Sequence, residues 1–328
     1  MNLPRQPAKS PADDADCEED VDKRILVIGE LNVDMIVSGL DTFPVLGQEV
    51  VAGDLHTVLG SSSAICAAGL ARLGAAVDFV GKVGADHYGE FIVDELQRLG
   101  VGTQHIIRDD VVRTGITISL TYPQDRALVT YLGCIAHLRL ADIKTSILTD
   151  YCHLHVGSYF LQTGLQSGLP DLFALARRAG LTVSLDTGWD PNQRWGNGDL
   201  LTLLESVDLF FPNEREACAI AHVDDADQAM RELGKRAGLV AVKRGPEGAM
   251  AIKDGQSVYS PGFRVNLVDA TGAGDSFDAG FLFAYVLQRR PLAEALRFAN
   301  ACGALCATGY GGTAAQPTLH QVQDMLKS

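Results

Sequence analysis

The segment Asp269-Ala270-Thr271-Gly272-Ala273-Gly274-Asp275 sets a carboxylate at the end of a turn of small residues, and Phe277, Ala279, Gly280, Phe281 and Leu282 continue it in a helical pattern. Gly272 and Gly274 admit backbone angles closed to other residues. A helix that begins there leaves its first N–H groups unpaired, and those donors together with the positive end of the helix dipole favour an anion such as a phosphate. Asp275 beside such a cradle repels the anion unless it has a chemical task. Proton abstraction from an attacking hydroxyl is such a task. Simple capping of the helix by Asp275 is the plain alternative, and a lone Gly-x-Gly-Asp does not exclude it.

The elements that must hold this turn follow from the apolar pattern. From Arg24 onward, short apolar runs at 25–28, 77–80, 154–156, 181–185, 207–211 and 239–242 read as buried strands, and helical patterns fall around 64–73, 89–99, 172–179 and 226–237. That alternation predicts an α/β fold, a mostly parallel central sheet flanked by helices. Residues 34–58 and 112–132 instead show strand-like alternation broken by Pro44, Gly47, Gly53 and Pro123-Gln124-Asp125. The two segments are expected to pair as a small β-sheet lid over the strand ends, where ligands bind in open α/β sheets. An open edge in such a lid invites pairing with a second copy, so a homodimer through the lid is part of the expectation. Residues 1–22, with Pro4, Pro7, Pro11 and an acidic cluster from Asp13 to Asp22, are expected to be a disordered tail.

Charge and composition exclude several classes. A formal charge of −14 leaves no broad basic surface to displace counterions, which argues against a nucleic-acid partner. No apolar run is long enough to span a bilayer, and no secretory signal opens the chain, so no membrane partner and a cytoplasmic location are expected. The seven cysteines are scattered without a Cys-x-x-Cys pair and read as reduced thiols. Cys302 and Cys306 lie one helical turn apart, but with no further Cys or His at ligand spacing they read as small core residues. His153 and His155 alternate in a strand and face one side without a third ligand. Gly-x-x-x-x-Gly-Lys-Ser/Thr, Gly-x-Gly-x-x-Gly after the first strand, Gly-x-Ser-x-Gly and His-Glu-x-x-His are all missing.

Four further segments carry polar residues at element ends. Asn213 and Glu216 follow Pro212 at a helix start, and spacing alone assigns them to a capping box. Gly245 and Gly248 punctuate a strand, turn and strand. Asn32 and Asp34 follow the first strand, where a surface turn is the plain reading for Asp34. Gly60-Ser61-Ser62-Ser63 leads into Leu70-Ala71-Arg72-Leu73-Gly74.

Taken in order, these segments and Val242-Lys243-Arg244-Gly245 resemble the signatures of the ribokinase-like (PfkB) carbohydrate kinases over residues 24–320. The resemblance implies a kinase domain over residues 23–328 that transfers phosphate from ATP to a hydroxyl of a small sugar or sugar acid. In this likeness Asp275 is the general base, and the amides of Gly272, Ala273 and Gly274 are the oxyanion cradle. Asn213 and Glu216 order Mg²⁺ and its waters. Lys243, Gly245, Gly248, Thr271, Asn300 and Gly303 fall on the nucleotide side, while Asp269 and Thr271 match a site for a monovalent cation such as K⁺. Asn32, Asp34, Gly60, Ser61 and Ile65 fall on the acceptor side. Two departures stand there: Ser61 replaces a second glycine, and Ile65 replaces a sugar-binding asparagine, which puts the usual ribose pose in question. Ser62 and Ser63 offer no cation for a phosphorylated acceptor. A nucleoside kinase on the same fold and a non-catalytic sugar-binding regulator are the alternatives.

Overall fold

The computed structural model describes residues 24–122, 126–196 and 199–327. The acidic segment 1–22 and the Pro123-Gln124-Asp125 turn lie outside the described residues. Among the described residues no helix is long and apolar enough to cross a membrane.

The large sheet is built on β1 (Arg24–Ile28). Its sides carry β4 (Ala76–Gly84) and β5 (Gly102–Asp109) in one direction, and β8 (His153–Val156), β9 (Thr182–Leu185), β10 (Leu209–Phe210), β11 (Leu239–Lys243), β12 (Ala249–Lys253) and β13 (Gln256–Ser260) in the other. Neighbours from β5 through β11 are parallel, and β12 and β13 are added antiparallel. Parallel strands need long crossovers, and the helices that make them cover both faces. In β1 Ile25 and Val27 enter one core with Phe79, Phe211 and Phe281, whereas Leu26 and Ile28 enter the other with Phe173, Leu185 and Phe210. Burial on both faces is why this strand reads as an unbroken apolar run.

The chain runs from β1 to β4 and β5 on one side, then returns to β8 on the other. A crevice therefore opens beyond the carboxyl ends of β1 and β8, the position at which open α/β sheets bind ligands. A second sheet of four strands stands there, ordered β3 (Asp54–Leu59), β2 (Asn32–Ser38), β6 (Gly115–Thr121) and β7 (Arg126–Tyr131). β2 and β6 join the two sequence segments by parallel pairing, Val33 opposite Ile116 and Met35 opposite Ile118. Leu55, Leu128 and Val129 on its edge strands are exposed.

His153 and His155 are strand residues, as their alternation suggests. Ser184 bridges them from β9, 2.7 Å from His153 Nε2 and 2.8 Å from His155 Nδ1, and Thr182 Oγ1 lies 2.6 Å from His153 Nδ1. Burial pushes their titration down from 6.5 to about 3 and about 4, respectively. Both should therefore stay neutral in the native protein down to about pH 5, which imidazole ¹⁵N shifts across a pH titration would report. The unfolded chain takes up these protons below about 6.5, so this pair disfavours the fold on acidification. Uptake by either ring near pH 6.5 would contradict the packing.

Candidate active site

Two helices point their N-termini into the crevice. The first, Ser62–Arg72, begins at Ser61, whose hydroxyl accepts from Ala64 N–H at 3.0 Å and donates to the Glu30 carbonyl at 2.5 Å. Ser61 has φ +74°, a backbone region that favours glycine, and these two bonds offset part of the strain. The second, Ala273–Phe281, follows Gly272 at φ +75°, and no side chain caps it. A Cβ at Gly272 would lie 2.5 Å from Gly312 Cα, so only glycine fits this turn. The Ala273 N–H donates to Ala270 O at 3.2 Å, which leaves the amides of Gly274 and Asp275 to an anion.

The helices cross where a Cβ on Gly69 would come within 2.9 Å of Ala279 Cβ. Gln316 ties them together, its amide donating to Ile65 O at 2.8 Å and to Ser276 Oγ at 3.1 Å. Asp275 thus sits in the first turn of one helix and bonds the Ser62 hydroxyl in the first turn of the other. Burial, then the nearby Asp186 charge, raises its carboxyl to about 7, while Lys243 and Ser62 pull the other way. A carboxylate held near neutrality beside uncapped amides can accept a proton while the amides hold an anion.

Beneath Asp275 lies a buried ionic cluster. The Lys243 ammonium is 2.6 Å from Asp186 Oδ2 and 3.2 Å from Asp278 Oδ1. Burial opposes charge on all three. The Lys243 charge and hydrogen bonds outweigh burial at Asp186 and hold it below its ordinary range, whereas burial dominates at Asp278 and pushes it well above its own. Carboxylate oxygens of Asp186, Asp275 and Asp278 lie within 4.8 Å of one another. At the end of β10, Asn213 Oδ1 accepts from Glu216 N–H at 2.9 Å and Glu216 Oε2 accepts from Asn213 N–H at 2.8 Å, completing the expected capping box. Burial and the Asp186 charge raise Glu216 to about 7.

On the other wall, Asn32 donates to Asp34 Oδ1 at 2.8 Å and to Thr117 Oγ1 at 3.0 Å. Burial lifts Asp34 to about 6. A Cβ at Gly60 would sit 2.2 Å from Asp34 Oδ1, so glycine is needed for the strand to pass the pair.

Residues 22–319 match the pfkB family carbohydrate kinases. The chain belongs to that family. It is 30% identical over 306 residues to an ATP-dependent ribose-1-phosphate kinase of Halopiger xanaduensis, covering 92% of this chain and 98% of the relative. A ribokinase of Haemophilus influenzae is 28% identical over 315 residues, covering 93% and 99%. The structure of Arabidopsis thaliana ribokinase with ribose and ATP superposes with a TM-score of 0.80 at 25% identity, over 93% and 99% of the two chains. This carbohydrate kinase therefore has the ribokinase fold, with the second small sheet at the crevice.

Several expected site residues converge: Asn32, Asp34 and Gly60 on one wall, Gly272, Ala273, Gly274 and Asp275 between, and Asn213, Glu216 and Lys243 beyond. Others have different tasks. The Ser61 hydroxyl is engaged by its own helix and Glu30, and Ile65 is buried with its side chain against Gly312, where an added Cβ would meet Cδ1 at 2.3 Å. The helix start and the 309–313 loop pack against these two side chains. Asn300 donates to the carbonyls of Ser260 and Pro261 at 2.9 and 3.2 Å and thereby fixes the chain after β13. A Cβ at Gly303 would lie 2.9 Å from Ala273 O, so this glycine lets the Leu292–Cys306 helix support the cradle. Gly245 and Gly248 take φ +56° and +98° in the turn after β11.

Sequence reasoning missed Glu30, Asp186, Asp278 and Arg126. Asp278 stands three residues after Asp275 on one helix face, which is a usable signal. Glu30 and Asp186 follow strand ends, a weaker one. Glu30 is buried and accepts from Ser63 N–H at 3.2 Å, Ser158 Oγ at 2.8 Å and the Ser63 hydroxyl. Glu30→Gln replaces an all-acceptor group by one that must also donate. It should cost about 1–3 kcal/mol in stability and loosen the start of the Ser62–Arg72 helix. Thermal or urea unfolding would show this, and an unchanged midpoint would remove Glu30 from the framework.

Proposed function

We propose that the protein transfers the terminal phosphoryl group of ATP to a hydroxyl of a small, unphosphorylated sugar or sugar acid. The observation that carries the proposal is Asp275, poised near neutrality between two helix N-termini with an uncapped amide turn beside it. Asp275 takes the proton of the acceptor hydroxyl as it attacks. The turn amides from Gly272 to Asp275 hold the oxygens of the migrating group, and loss of one comparable donor typically costs 10²–10³ in rate. Such transfer needs in-line positioning and neutralised charge more than covalent help from the protein.

Asn32 and Asp34 orient the acceptor on one side of Asp275. The nucleotide lies on the other, along the turn of Gly245 and Gly248, with Asn300 and Gly303 shaping its border from behind. The oxygen donors near the phosphate position fit a hard divalent ion, and the capping box engages one carboxylate oxygen of Glu216. Asn213 and Glu216 would hold Mg²⁺ through its waters, and the ion would neutralise phosphate charge. Lys243 remains in its buried cluster and contributes a fixed positive field below the cradle. Ile65, covered by Gly312, supplies no apolar wall for a base, which favours a sugar over a nucleoside.

An ADP-release screen over pentoses, hexoses, sugar acids, nucleosides and ribose 1-phosphate tests the proposal, and a best acceptor outside the first three classes would overturn it. With that acceptor, Asp275→Asn should keep the fold and nucleotide binding yet lower kcat by roughly 10²–10⁴. Near-normal turnover would exclude the base role.

The pH profile offers a separate check. Asp275 and Glu216 are both raised to about 7 and both act here as carboxylates. log kcat/KM should therefore rise with pH and level off above about 7, with a limiting slope between about one and two on the acid side. Glu216→Gln should reduce the slope towards one. A profile flat from about pH 5 to about pH 8 would contradict the assignment.

A further inference from the structure

The likeness to ribokinases leads one to expect a monovalent cation at Asp269 and Thr271. The structure places a side chain there. Asp269 Oδ1 accepts from Thr271 N–H at 2.9 Å and from Thr271 Oγ1 at 2.7 Å, and Oδ2 accepts from Gly311 N–H at 3.0 Å. The carboxylate is thus the clasp between the cradle turn and the 309–313 loop. Its neighbouring positive charge is Arg126, the first residue of β7 in the small sheet. Arg126 Nη1 lies 3.9 Å from Asp269 Oδ1 and donates to Thr271 Oγ1. Arg126 is 145 residues from Thr271 in sequence, so the contact exists only when the small sheet lies over the cradle.

Three features make this more than a surface ion pair. The hydroxyl of Thr271 is doubly engaged, donating to Asp269 and accepting from Arg126, so the three groups form one relay. Arg126 also lowers the proton affinity of Asp34 on the acceptor wall, which sets its charge between the two halves of the crevice. The clasp it meets bears directly on catalytic geometry, because Gly272 is packed against Gly312 and any slip of the 309–313 loop moves the turn that carries the amides.

We propose that Arg126 takes the place of a monovalent cation at this clasp and couples the position of the small sheet to the shape of the cradle. Arg126 is then a positioning residue: it acts on the transferred group through Asp269 and Thr271. An enzyme so built has no need of K⁺, and its cradle is complete only beneath the closed sheet.

The test compares wild type with Arg126→Met, which keeps the stem without the charge, and Arg126→Lys. Thermal unfolding in KCl against tetramethylammonium chloride should give the same Tm for wild type and for Arg126→Lys. Arg126→Met should unfold at lower temperature in tetramethylammonium and be raised selectively by KCl. Amide hydrogen exchange over 269–273 and 309–313 should quicken in Arg126→Met and slow again in KCl. Hydrolysis of MgATP without acceptor should fall about tenfold in Arg126→Met and recover with KCl, a typical size for a coupling residue. Selective stabilisation of wild type by KCl, or wild-type exchange at the clasp in Arg126→Met, overturns the proposal. The unfolding and exchange arms need no turnover, so they decide it even if the kinase reading on which it rests should fail.

Discussion

A single buried ammonium sets the electrostatics of the crevice. Lys243 at the end of β11 meets Asp186 from the end of β9 and Asp278 from the helix behind the cradle, so three separate elements are pinned to one charge. Removing a charge of this kind leaves its partners buried and unpaired, which is strongly destabilising. Pairing at Lys243 keeps Asp186 ionised, and Asp186 in turn helps raise both Asp275 and Glu216. The ion cluster therefore tunes the proposed base without touching the acceptor.

The two helix N-termini supply the complementary part. The start of Ser62–Arg72 is closed by Ser61 and Glu30, while the start of Ala273–Phe281 is left uncapped. Most helices satisfy their leading amides internally or in water. One start is closed by a side chain and the other is not, which sets the two termini apart within the crevice. Asp275, bonded to Ser62, marks where the two meet. The small sheet then faces this point, and Arg126 joins it to the clasp that shapes the open terminus.

Glycines at the site follow the same economy of space. Gly60 lets the strand pass Asp34, Gly272 fits against Gly312, and Gly303 admits the supporting helix against Ala273. Gly60 meets the Asp34 and Asn32 side chains and the other two meet backbone, so a side chain at any of them would displace these groups rather than fill a void.

Apolar runs and helical spacing were enough to predict the parallel sheet, since burial on both faces leaves a direct trace in composition. The cradle was likewise legible, because its conformation demands Gly272 and the helix after it announces its own start. The Asn213–Glu216 box was fixed by local spacing. Tertiary structure alone decided the rest. The contacts of Ser61 with Glu30 and of Ile65 with Gly312 join segments far apart in sequence. Asp186, Lys243 and Asp278 are a cluster only because three distant segments end at one crevice, and Arg126 meets Thr271 across 145 residues. Local patterns record which backbone conformation a residue favours. The partner of a buried charge is a matter of chain topology, which those patterns do not encode.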